Sequence, residues 1–167
     1  MVVSARNRGR QNLAPGVNPG YNVPEKDQTR TAGYTKRINV LDEAELNKLA
    51  ETWIRAQHTK LSDQDDEIRW MDDVLTEWMY VDEESTDLLW RFIQNVYPRD
   101  MSDKTISLLA AGPLEHLLAH HGPVYIDQVE TLARKDPKFN YLLGGVWRNS
   151  MTDDVWERVQ KARLSVW

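Results

Sequence analysis

Residues 136–159 read DPKFNYLLGGVWRNSMTDDVWERV, and they hold two helix starts and one helix stop. Asp136 is a capping side chain, and Pro137 after it suits the first helical position, where its fixed φ fits and its missing N–H is not needed. Phe139, Leu142, Leu143 and Val146 then recur at the 3-and-4 spacing of a helix buried on one face. Two glycines inside a helix cost about 1 kcal/mol each relative to alanine. Gly144 and Gly145 are therefore expected to admit a close neighbour, or to end the helix so that Trp147 and Arg148 turn toward a site. Thr152 caps the next helix, whose stripe is Val155, Trp156 and Val159.

The same grammar extends toward the N-terminus. Pro123 opens a helix with Ile126, Val129, Leu132 and Ala133 inward. Ser102 caps another with Ile106, Leu109 and Ala110. Gly112 and Pro113 interrupt it before Leu114, Leu117 and Leu118 resume the face, so Pro113 either kinks one helix or starts another. Gly122 is placed to end that helix in a left-handed cap. Asp42 and Glu45 form a capping box ahead of Leu46, Leu49, Ala50, Trp53 and Ile54. A second helix is expected from Ser62 or Asp63, with Ile68, Met71, Val74, Leu75, Trp78 and Met79 as its face. A third starts near Glu83 to Ser85, carries Leu88, Leu89, Phe92, Ile93 and Val96, and stops at Pro98. No stretch alternates as a strand does. The expectation is an all-α chain, a compact bundle of about seven short helices over residues 41–167. A short helical-hairpin stack resembling HEAT repeats is the alternative, without a clear fixed-period repeat to support it.

Residues 1–40 read as a separate, extended or disordered arm, because Gly9, Pro15, Gly16, Pro19, Gly20, Pro24 and Gly33 break any regular element. The net charge of −5 hides a strong asymmetry. The arm has seven Lys/Arg against two Asp/Glu, so +5. Residues 63–87 have one Arg against eleven Asp/Glu, so −10. The absence of cysteine excludes disulfides and thiolate metal sites. No apolar run approaches the roughly 20 residues a membrane span needs. The N-terminus lacks a secretory apolar core, so a cytoplasmic location is expected.

Leu108 to Gly122 read LLAAGPLEHLLAHHG, residues 134–149 read RKDPKFNYLLGGVWRN, and residues 151–160 read MTDDVWERVQ. Together these resemble an uncharacterised bacterial or phage helical family of unknown function, with a signature of the form AAGPLE…HG…DP.F…LGGVWRN…DDVW. The upstream LAETWIRAQH at 49–58 is similar to that family's opening helix. The resemblance covers about residues 41–163. It implies a helical fold and carries no assigned activity or catalytic residues.

Candidate sites follow from charge and composition. The acidic segment supplies Asp65, Asp66, Asp72, Asp73, Glu83, Glu84 and Asp87, with Trp70 off the buried stripe beside them. Trp90 also falls off its stripe, so it is either exposed beside this face or core. Such a surface would steer a basic protein partner, a nuclease, toxin or defence component. The arm offers Arg6, Arg8, Arg10, Arg30, Lys36 and Arg37 to phosphates. Trp147 and Arg148 form a third candidate, either packed in the core with Arg148 paired to Glu115 or Asp154, or turned to a site. His116 and His120 have a metal-capable spacing, but neither the HExxH order nor a third ligand accompanies it, so they read as surface or helix-end residues and no metal is assigned. There is no GxSxG elbow, P-loop or GxGxxG, and no cofactor is expected. The favoured expectation is a non-catalytic, partner-binding inhibitor, immunity-like or phage-encoded, acting through the acidic face. A nucleic-acid-associated protein using the arm is the alternative, and an enzyme built around Arg148 a second one. Nothing in the chain sets its oligomeric state.

Overall fold

The computed structural model describes residues 41–60, 63, 65–80 and 85–167. The arm, with Arg6, Arg8, Arg10, Arg30, Lys36 and Arg37, lies outside the described residues, as do Glu83 and Glu84. Every regular element among the described residues is helical: α1 (Glu43–Ala56), α2 (Asp66–Tyr80), α3 (Thr86–Val96), α4 (Asp103–Leu109), a π-turn (Ala110–Leu114), α5 (Glu115–Lys135), α6 (Pro137–Gly144) and α7 (Asp153–Ala162).

Most starts are fixed by the side chains the sequence offers. Asp42 accepts from the Glu45 N–H while Glu45 accepts from the Asp42 N–H, a closed capping box on α1. Ser102, Asp136 and Thr152 cap α4, α6 and α7 in the same one-sided way. Ser85 precedes α3 without a side-chain cap bond.

Helices α1, α2 and α3 pack together as one layer. A polar ladder shows that α1 and α3 run parallel: Glu43 pairs with Arg91, Asn47 with Asn95, and Glu51 with Arg99. Under it, the ring of Trp53 meets Phe92 edge-on at 6.0 Å, and Trp78 meets Phe92 at 6.4 Å. Helix α3 also faces the second layer, α5 to α7. Trp90 is 5% exposed, donates to Gln128 Oε1 at 2.9 Å, and packs on Tyr125 and Phe139. It is core, not an exposed anchor. With α3 shared between the layers, the molecule is a bundle rather than a hairpin stack.

The run from Asp103 to Lys135 holds two irregularities. Pro113 neither starts a new helix nor ends the old one; its lost hydrogen bond is absorbed in the π-turn, and the helix continues. Gly122 does not form a left-handed cap. Helical geometry breaks at His121 (φ −126°, ψ 16°), a kink at which two helices join, and Pro123 stands in the first turn of the second, as expected. Gly122 serves packing instead, since a Cβ there would lie 2.7 Å from Val155 Cγ1 of α7. Arg158 binds α7 to the same helix through Asp127 and Glu130.

After α7 the chain runs back over α6 as an extended strap, residues 163–167. Asn140, 4% exposed, holds it. Its amide donates to the carbonyls of Ala133 (3.1 Å) and Ala162 (2.9 Å), and its oxygen accepts from the Leu164 N–H (2.9 Å). Trp167 stacks on Tyr141 and donates to that residue's carbonyl at 2.8 Å.

Candidate functional site: the acidic face of α2

The buried positions of α2 are Ile68, Met71, Val74, Leu75 and Trp78. At 3.6 residues per turn the opposite face carries Asp66, Trp70, Asp73 and Glu77 in one stripe at 4, 3 and 4 spacing, with Asp72 at its flank. Trp70 is half-buried and leans on the core. Tyr80, 70% exposed, closes the stripe at its C-terminal end. Sequence reading passes over Tyr80 because it falls one position beyond the apolar stripe; its place on the polar side is the signal that could have found it.

The carboxylates of this region divide into two sets. The first is used within the molecule. Asp65 accepts from Arg55 at 2.6 Å and from the Ile68 N–H at 2.9 Å, and the Arg55 hydrogen bond holds its carboxyl below the usual range. Glu67 pairs with Arg55 and Lys48, and Asp66 with Arg69. Asp87 accepts from the hydroxyl of buried Tyr125, which ties the start of α3 to α5. The second set is Asp72, Asp73 and Glu77, which form no ion pair among the described residues. Partial desolvation, helped by the neighbouring Asp73 charge, raises the carboxyl of Asp72 above its ordinary value. Asp73 and Glu77 stand four apart, the spacing at which like charges repel on a helix.

The second candidate lies across the molecule. Val146 and Met151 are buried feet of a loop, and between them Trp147 is 65% exposed, so the core placement expected for it is not found. Arg148 pairs with Asp153 rather than with Glu115 or Asp154. Glu115 instead clamps the loop with both oxygens, one to the Trp147 N–H at 3.1 Å and one to Asn149 Nδ2 at 3.0 Å. Asn149 takes φ 42°, a left-handed conformation asparagine tolerates. The glycine pair answers to the strap: a Cβ on Gly144 would lie 2.6 Å from the Ser165 carbonyl oxygen, and one on Gly145 2.5 Å from the Trp167 ring. Two grooves beside α5, of about 380 and 370 Å³, are lined by residues of α3, α5, α6, α7 and the strap; Glu115, His116 and Arg148 line neither.

Among the described residues no group of three or more His, Cys, Asp or Glu is placed to hold a metal ion, and no helix is long and apolar enough to cross a membrane. The fold and its surface define an all-α protein of two helical layers sharing α3. The chain belongs to a family of unknown function, DUF6869, which matches residues 58–166. The match begins after α1, later than the resemblance at 49–58 implies. No curated protein and no solved structure matches the chain.

Proposed function

We propose that this chain is a non-catalytic binding protein that engages a basic protein partner through the exposed face of α2, as an immunity protein or a phage inhibitor of host defence would in the cytoplasm. The observation that carries the reading is the trio Asp72, Asp73 and Glu77. They sit on a rigid helix, exposed or partly so, and they have no cation among the described residues although Arg and Lys neutralise the carboxylates around them. Self-repulsion of this kind is relieved when a partner's Lys or Arg side chains approach, and it accelerates their encounter. Trp70 and Tyr80 bound the trio with aromatic surface, the composition of an interface core beside a charged rim.

The test is affinity capture from the native host with the wild-type chain and with Asp72→Asn/Asp73→Asn/Glu77→Gln. The expected result is a basic protein retained by the wild type, released by raised salt and lost by the variant, with helicity unchanged. Equal retention by both chains would refute the reading.

A further inference from the structure

Two breaks in one helical run bracket fewer than two turns. The π-turn ends at Leu114, and helical geometry fails again at His121. Between them His116 and His120 lie four residues apart on one face, with ring centroids 4.4 Å apart and planes inclined by 33°. Tyr80 of α2 packs edge-on against His116 at 4.8 Å.

We infer that His116 and His120 form an open, two-imidazole site for a borderline divalent transition-metal ion, Cu²⁺, Ni²⁺ or Zn²⁺. Imidazole nitrogen suits these ions and not Mg²⁺ or Ca²⁺, which take oxygen ligands. With metal–nitrogen bonds of about 2.0–2.1 Å, rings this close can each turn one nitrogen to a shared ion by rotation of the exposed His120 side chain. A π-turn is a costly irregularity that recurs at functional sites; here it sets the phase of the turn that carries both rings beside α2. No third His, Cys, Asp or Glu among the described residues completes the set. The remaining positions are left to water or to a group from a partner, and the affinity falls short of a four-ligand structural site.

Titration calorimetry of the full chain with NiCl₂ and, separately, ZnCl₂ tests this. The expected result is one ion per chain, with at least tenfold weaker binding in His120→Ala, whose exposed side chain is removed without loss of core. His58→Ala and His121→Ala should bind as the wild type does, and MgCl₂ should give no binding. Electron paramagnetic resonance of the Cu²⁺ complex should show two imidazole nitrogens. An isotherm unchanged in His120→Ala, or a Cu²⁺ spectrum with fewer than two such nitrogens, overturns the inference.

Discussion

Asn140→Ala removes a side chain that closes two helix ends and one strap at once. Ala133 lies in the last turn of α5 and Ala162 ends α7, so both carbonyls belong to the groups that a helix leaves without an internal partner. The amide of Asn140 meets both, and its oxygen meets the Leu164 N–H. Each such bond contributes about 0.5–1.5 kcal/mol net, and more is lost where the partner stays buried, so the substitution should cost about 2–4 kcal/mol. That corresponds to a midpoint lowered by roughly 5–12 °C for a chain of this size. Urea unfolding followed by circular dichroism at 222 nm, with an unchanged slope, reads the cost directly. A chain ending at Arg163 keeps the two carbonyl bonds and lacks the Leu164 bond, so Asn140→Ala should cost about 1 kcal/mol less there. A total cost under about 0.5 kcal/mol, or an equal cost in both chains, would refute the bridging role.

Gly145→Ala should displace Trp167 from its seat and press on the buried Ala110 Cβ, so the loss should be about 1–3 kcal/mol and shrink in part when Trp167→Ala is added; a double-mutant cycle by urea unfolding checks it. Glu77→Lys turns a repulsive i, i+4 pair with Asp73 into an attractive one, so stability should rise by about 0.4–1 kcal/mol while capture of a basic partner weakens. Asp72 has a raised carboxyl in the folded state, so its contribution is fully present below the unfolded value and is lost as pH rises through the folded one. Asp72→Asn should accordingly be stabilising at pH 7 and neutral below about pH 3.9, as denaturant midpoints at the two pH values will show. Burial, and then hydrogen bonds to Asp136 and Asp87, push the hydroxyl of Tyr97 up to about 12 and that of Tyr125 higher still. Stability should therefore fall as pH climbs from about 10 toward 12, with two of the six tyrosines ionising late in a titration read at 295 nm.

Helix starts are legible in this sequence because a cap is a local contract. Asp42 with Glu45, Ser102, Asp136 with Pro137, and Thr152 each bond within three residues, and each begins a helix at the expected place. What stays illegible is settled by residues distant along the chain. Gly122 looks like a cap until Val155 is seen against it, and the Gly144–Gly145 pair is explained by a tail some twenty residues on. Pro113 leaves two outcomes open locally, and the single interrupted helix is taken, by way of the π-turn, because Leu114, Leu117 and Leu118 must still reach the core. For the acidic segment the sequence shows charge without its bookkeeping. All four of Asp65, Asp72, Asp73 and Asp87 are exposed, but Asp65 and Asp87 are engaged by Arg55 and Tyr125, which the sequence does not show.

Helix α1 lies outside the stretch that the family matches, yet Leu46, Leu49, Ala50 and Trp53 are buried, and Trp53 covers Phe92 at the centre of the first layer. The unit of kinship and the unit of folding therefore do not coincide in this chain. A fragment trimmed at His58 to follow the family boundary would be cut through its own interior. It would turn the apolar side of α2 and α3 into a sticky outer wall, and any binding measured on it would report that wall.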